Sequence, residues 1–244
     1  MVGRTGTVVG ELVEDHPGRA LAVYAHPDDP DVSCGGTLAR WAAAGSEVHV
    51  VVATAGDKGT TDPSMDPAAL AAQRAEEVAA AGDVLGVAGQ HLLGWGDGEL
   101  EDDAALRAEL VGLVRRLRPE VVVCPDPQAV VFGQAYFNHR DHRMIGWATL
   151  DAVAPAAALP LYFPDRGPPH QVSTVYLSGT LAPDVWVEVS ATIEAKVRAV
   201  LCHASQVGTV GAWAEEAVHR RATEAGREAG VSYAESFRRL RLLG

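Results

Sequence analysis

The sequence predicts an α/β fold, a Rossmann-like three-layer sandwich around a mostly parallel central sheet. Three observations predict it. Short apolar runs alternate with helical patterns along the chain. Polar clusters rich in His and Asp follow the carboxyl ends of those runs. The 244 residues, 48% of them hydrophobic, suffice for one domain with a sizeable core.

Ala20 to Ala25 (ALAVYA) is a short apolar run between Pro17-Gly18 and His26-Pro27, the pattern of a buried parallel strand. Thr37 to Ala44 reads as a helix closed by Gly45. Glu47 to Ala53 is a second strand. Pro67 to Ala81 is an alanine-rich helix, with Asp66 as its N-cap ahead of Pro67. Gln90 to Leu93 gives a short third strand, Asp103 to Leu117 an amphipathic helix stopped before Pro119, and Glu120 to Cys124 a fourth strand.

The second half is less regular. Thr174 to Leu177 and Val185 to Val189 read as strands, and Ile193 to Leu201 as a helix. Ala212 to Ala229 and Tyr233 to Leu242 read as charge-rich amphipathic helices. The expected organisation is a single domain over 1–244, with 1–19 as an N-terminal extension and 190–244 as a helical C-terminal part.

The formal net charge is −12, and no Lys/Arg-rich run rises above that background, which excludes a nucleic-acid partner. Cys34, Cys124 and Cys202 are widely spaced and odd in number, against both a disulfide framework and a thiolate zinc site. Residues 1–10 lack the apolar core of a signal peptide, and no apolar run is long enough to span a membrane. A cytoplasmic protein with no membrane partner is expected.

Two clusters carry the chemistry. His26-Pro27-Asp28-Asp29 ends the first core strand, where the backbone is firmly held and Pro27 stiffens the turn. Adjacent side chains on such a turn diverge, so one carboxylate can hold a cation while its neighbour faces the water on it. By itself the tetrapeptide also reads as a Pro-Asp turn whose aspartate caps a helix. In Asn138-His139-Arg140-Asp141-His142, the two histidines are three apart and share one face if a helix begins there. Such spacing suits zinc, although the segment alone also reads as a polar helix start. Together the clusters supply three ligands, a spare carboxylate and a spare histidine, the inventory of a metal-assisted hydrolase.

These motifs resemble the LmbE-like (PIG-L) family of N-acetylglucosaminyl deacetylases. The resemblance rests on Ala25-His26-Pro27-Asp28-Asp29, Cys34-Gly35-Gly36-Thr37-Leu38 and His139-x-Asp141-His142. It extends through Arg74-x-x-Glu77, Leu93-Gly94 with Asp97-Gly98, Lys196 to Gln206 and Tyr233-Ala234-Glu235-Ser236-Phe237. It implies that His26, Asp29 and His142 hold a divalent metal, Zn²⁺ or else Fe²⁺ or another divalent ion. It implies Asp28 as general base, His139 as oxyanion stabiliser or acid, and Asp141 as a residue that orients or tunes a histidine. Arg74 and Asp97 match positions that contact substrate. The implied partner is a small N-acetylated sugar or glycoside, and the implied assembly a homo-trimer or homo-hexamer.

Some positions depart from the family pattern. Pro30 stands where many members carry Glu, with Asp31 next. Phe137 stands where some members place a tyrosine, and Tyr136 is one place away. Arg140 replaces the more usual proline. Two other readings of the same residues are an amidase acting on a related thiol-sugar conjugate and a non-catalytic metal- or sugar-binding module. A dinucleotide-binding Rossmann protein is excluded, because no Gly-x-Gly-x-x-Gly follows the first strand. His203 reads as structural, and Trp95, in the loop after the third strand, as the one tryptophan placed to meet a sugar.

Overall fold

The computed structural model describes residues 11–134 and 136–242. In chain order the strands and α-helices are β1 (Glu11–Leu12), β2 (Arg19–Tyr24), α1 (Asp29–Ala43), β3 (Glu47–Thr54), α2 (Pro67–Leu85), β4 (Gly89–Trp95), α3 (Ala104–Leu117), β5 (Val121–Pro125), β6 (Val131–Phe132), β7 (Tyr136–Phe137), α4 (Arg140–Asp151), β8 (Thr174–Ser178), β9 (Val185–Glu188), α5 (Ile193–Cys202), α6 (Ala204–Val207), α7 (Gly211–Ala229) and β10 (Ala234–Arg241). Eight strands form one sheet in the order β1-β9-β10-β8-β5-β2-β3-β4. All neighbours are parallel except β10, which runs antiparallel to both β8 and β9. The short β6–β7 hairpin stands apart.

Strand alternation builds two cores. Leu21, Val23 and Ala25 face one side, with helices α3 and α4 over them. Ala20, Ala22 and Tyr24 face the other, under α1 and α2. Both faces of the central strands are therefore apolar, as a helix-covered parallel sheet requires. The N-caps follow local chemistry: Asp66 accepts from the backbone N–H groups of Ala68 and Ala69, and Asp103 from those of Ala105 and Leu106.

The connection after β2 leads outward through β3 and β4, and the chain then returns to lay β5 on the other side of β2. The strand order reverses between β2 and β5. A crevice opens there beyond their carboxyl ends. The turn after β2 carries His26 to Asp29, and the segment after β5 leads to His139 to His142.

Two expectations are corrected. Helix α1 begins at Asp29 rather than Thr37, because Pro30 suits a first helical turn. It breaks at Cys34 (φ −144°, ψ 17°) and restarts at once. The break leaves the N–H groups of Gly36 and Thr37 without helical acceptors, and the Glu235 carboxylate takes both, at 3.0 and 2.7 Å. The second correction concerns Tyr233 to Leu242, where β10 replaces the expected helix, so the part over 190–244 is not wholly helical. Arg, Leu and Glu favour helix there, but pairing between β8 and β9 overrides propensity. Phe237 goes into one core, against Tyr176, while Leu240 packs on the other. Of the expected N-terminal extension, residues 1–10 lie outside the described residues, and β1 pairs with β9. No helix among the described residues is long and apolar enough to cross a membrane.

Phe237 is fully buried. Replacing it with alanine is expected to destabilise the fold by about 3–5 kcal/mol. Urea unfolding of the Phe237→Ala variant measures this, and an unchanged midpoint would remove β10 from the core.

Candidate active site

Asp29, the first residue of α1, turns its carboxylate back over the strand end. Its Oδ2 accepts the backbone N–H of His26 at 2.7 Å and lies 3.2 Å from His26 Nδ1. Its Oδ1 lies 3.0 Å from His142 Nε2. His26 Nδ1 and His142 Nε2 are themselves 3.1 Å apart. The turn after β2 and the first turn of α4 thus bring three donor groups into mutual contact across 116 residues of sequence.

The far nitrogen of each imidazole is also engaged. His142 Nδ1 faces Asn138 Oδ1 at 3.0 Å. An amide oxygen can only accept, so in the neutral ring Nδ1 carries the proton and Nε2 is left bare. His26 Nε2 lies 3.2 Å from Asp97 Oδ1 and 3.5 Å from Asp141 Oδ2. Asp141 is completely buried, and its Oδ2 also accepts the Gly98 N–H at 2.7 Å. Gly98 has φ +77°, a left-handed conformation that glycine adopts without strain and that aims its amide at Asp141.

Two candidate metal-holding groups consequently share His26: one with His139 and His142, the other with Asp97 and Asp141. Asp29 touches the first of them. Donors bound to one Zn²⁺ at 2.0–2.1 Å sit roughly 3.3 Å from each other in a tetrahedron. The spacings among His26, Asp29 and His142 fit that figure. Asp97 and Asp141 approach the opposite ring nitrogen, the place of carboxylates that orient a ligating histidine.

Charge follows the geometry. Burial would lower the His26 pKa, but hydrogen bonds to Asp141, Asp29 and Asp97 outweigh it and push it up to about 12. Burial would raise the Asp29 carboxyl, yet the neighbouring His142 and His26 hold it well below the usual carboxylate range. Asp97 is lowered chiefly by its hydrogen bond to His26. For Asp141, burial acts upward, while His26 and the Gly98 amide draw it down. His139 is lowered by burial and by the positive charge of His26. Its Nδ1 accepts the Asp141 backbone N–H at 3.2 Å, so Nε2 is the nitrogen that carries a proton.

Asp28 and Arg74 form a unit. Arg74, on α2, is buried, and its Nη2 donates to Asp28 Oδ1 at 2.8 Å. Its Nη1 donates to the Gly56 carbonyl at 2.9 Å, and a Cβ at Gly56 would collide with the guanidinium. Glu77, on the same helix, accepts from the Ser205 backbone N–H and hydroxyl. Asp97 faces His26 with one oxygen and accepts the Lys58 N–H with the other. Arg74 and Asp97 both line a cavity of about 380 Å³ beside the cluster, but both are already committed to neighbouring side chains.

Four further positions are settled by packing. Asp31 turns away from the cluster and meets Nε2 of the fully buried His203 at 2.8 Å. Tyr136 lines the cavity, whereas Phe137 lies under the Arg143 guanidinium. Trp95 packs against the core, and its indole donates to Glu109 on α3. Lys58 was not singled out from sequence. It ties the loop after β3 to the loop after β4 through the Asp97 carbonyl and Glu99, and a lone loop lysine gives no signal of that.

The fold and this cluster define an α/β enzyme scaffold with a histidine–carboxylate centre at its switch point. Residues 21–153 match the PIG-L family, described as GlcNAc-PI de-N-acetylase. The match spans more than half of the chain, and the protein belongs to this family. Diacetylchitobiose deacetylase of Thermococcus kodakarensis is 34% identical over 194 residues, 77% of this chain and 70% of its own. The 1D-myo-inositol 2-acetamido-2-deoxy-alpha-D-glucopyranoside deacetylase of Rhodococcus jostii is 30% identical over 248 residues, 78% of this chain and 82% of its own. The structure of N,N'-diacetylchitobiose deacetylase from Pyrococcus horikoshii, complexed with its inhibitor MPG, aligns with a TM-score of 0.84 at 31% identity. That alignment covers 92% of this chain and 84% of that one.

Metal uptake is expected to release a proton. Hydrogen bonds to Asp141, Asp29 and Asp97 favour the protonated form of His26, so a cation that binds through this ring has to displace that proton. Affinity should climb about tenfold per pH unit between about pH 6 and 9. Calorimetric titration in buffers of different ionisation enthalpy counts the protons; a pH-independent affinity would contradict this charge arrangement.

Proposed function

We propose that this protein is a zinc-dependent N-deacetylase that removes the acetyl group from an N-acetylglucosamine-type sugar. The observation that supports it most directly is the closure of His26, Asp29 and His142 to about 3 Å of one another at the switch point. Family membership supplies the reaction class. His26, Asp29 and His142 are the metal holders in this reading. Fe²⁺ suits the same donors, which are imidazole and carboxylate.

When bound, the metal brings the pKa of a coordinated water to around 7 and polarises the amide carbonyl. The chain's own residues do the rest. Asp28, beside the ligand Asp29, takes the proton from the attacking water, and Arg74 keeps its carboxylate turned to the cavity. His139 presents Nε2 to the oxygen on which negative charge develops, or to the departing amine. Asp141 and Asp97 hold the His26 ring from behind. Arg74 and Asp97 act first as positioning residues, and any contact with a sugar hydroxyl comes from the same wall of the cavity. Tyr136, rather than Phe137, supplies the phenol beside the centre.

Three variants test this reading. His142→Ala should abolish binding of the single metal ion, read by elemental analysis of the purified protein. Asp97→Ala should keep the ion with affinity weakened about 10–100-fold, as for a residue one step behind a ligand. The reverse outcome would move the metal to the His26–Asp97–Asp141 side. Asp28→Ala should retain metal and lose roughly 10²–10⁴ in acetate release from N-acetylglucosaminides; undiminished turnover would reject Asp28 as the base.

A further inference from the structure

Three side chains of one short turn reach three segments that carry the site. The turn runs from His203, just past α5, through α6. His203 is fully buried, and its Nε2 lies 2.8 Å from Asp31 Oδ2 on α1, two residues past Asp29. Ser205 donates its backbone N–H to Glu77 Oε1 at 2.7 Å and its hydroxyl to Oε2 at 2.6 Å. Gln206 donates through Nε2 to the Gly59 carbonyl, in the loop after β3, at 3.0 Å. The turn itself is tied, because the His203 carbonyl accepts the N–H groups of both Gln206 and Val207 at 2.9 Å. None of these bonds is made to a metal holder or to Asp28.

What the turn holds is the setting of Arg74. Glu77 follows Arg74 by one helical turn on the same face of α2. It is 7% exposed, and a carboxylate buried that far has to be met by donors. Ser205 supplies two, and Gln73 Nε2 a third at 3.0 Å. The register of α2 is thus fixed at Glu77. The Gly59 N–H donates to the Gly56 carbonyl at 3.2 Å, the same oxygen that accepts Arg74 Nη1 at 2.9 Å. A Cβ on Gly59 would lie 2.8 Å from Arg74 Nη1 and 3.2 Å from Gln206 Oε1, so loop, glutamine and guanidinium are closely packed. Arg74 has no slack of its own. It is buried, its Nε–H meets no acceptor among the described residues, and Nη1 and Nη2 are engaged on Gly56 and Asp28. A small shift of α2 or of the loop therefore draws Nη2 away from Asp28 Oδ1.

Resting on the deacetylase reading, we propose that Ser205, acting through Glu77, is a positioning residue for the reaction: the α6 turn clasps α2 and the loop after β3 so that Arg74 meets Asp28. With Arg74 on Oδ1, Asp28 offers Oδ2 to the attacking water. A misplacement of about 1 Å in such a group costs up to about 100-fold in rate with substrate contacts intact.

The test uses the metal-loaded full chain and N,N'-diacetylchitobiose. Ser205→Ala should lower kcat about tenfold with KM changed less than about twofold, because the lost bond acts on the base and not on the sugar. Metal content should be unchanged. Ser205→Thr keeps a hydroxyl and should recover most of the rate. In an Arg74→Gln background the same Ser205→Ala change should cost less than about twofold, since the residue it acts through is already gone. A scaffold defect would instead lower both backgrounds alike. A second readout needs no turnover: isotope-edited nitrogen spectra of the Arg74 guanidinium. Its Nη signals are separate while Asp28 and Gly56 restrain it, and they should coalesce in Ser205→Ala. Undiminished kcat in Ser205→Ala, equal losses in the two backgrounds, or an unaltered Arg74 spectrum overturns the proposal. Absence of acetate release from the unaltered protein overturns the deacetylase reading instead, and the Arg74 spectrum then decides the clasp alone.

Discussion

The imidazole of His26 is held from both of its nitrogens, and the rest of the centre is organised around that ring. On one side stand Asp29 and His142; on the other, Asp97 and the buried Asp141. Three segments meet there: the turn after β2, the loop after β4, and the stretch from Asn138 into the first turn of α4. A low-dielectric setting makes each of these contacts stronger than it would be in water. It also makes a missing partner costly, because the carboxylates cannot be left unpaired in the interior.

The sheet order explains why residues so far apart in sequence can share one ring. Parallel strands deliver their carboxyl ends to a common edge, and the reversal between β2 and β5 leaves that edge uncovered. Neither His26 nor His142 needs a long or strained path to the centre. His26 lies two residues past the end of β2, and His142 lies in the first turn of α4. Rigidity comes from β2, buried along nearly its whole length, and from the Asn138 side chain, which anchors to the Ala129 carbonyl at 2.7 Å.

Much of this was legible in the sequence, for identifiable reasons. Strands β2, β3 and β5 announce themselves as apolar runs, β4 only as the short Leu92-Leu93 stretch of an exposed edge, and the clusters after β2 and β5 follow from where such sheets bind ligands. The caps Asp66 and Asp103 are local chemistry, and local chemistry reads directly. Two kinds of feature were not legible. Strand β10 is rich in residues with helix propensity, and its strand state depends on partners more than 45 residues away in sequence. The orientation of individual side chains was equally hidden. Arg74 and Asp97 were expected at the substrate, yet each reaches a charged neighbour first, across 46 and 71 residues. Sequence proximity gives no indication of either pairing, and periodicity only places a residue on a helix face.

The position of β10 bears on how the molecule is made. It lies between β8 and β9, and β1 reaches the sheet only through β9. Its Glu235 also closes the restart of the helix that begins at Asp29. During synthesis β2 to β5 emerge well before β10, so the sheet stays open between β8 and β9 until β10 is inserted. Removing Ala234–Arg241 would leave His26, Asp29 and His142 in the chain and take away the wedge that closes the sheet and the helix restart. Closure of the scaffold thereby waits on a strand made after every residue of the histidine–carboxylate cluster.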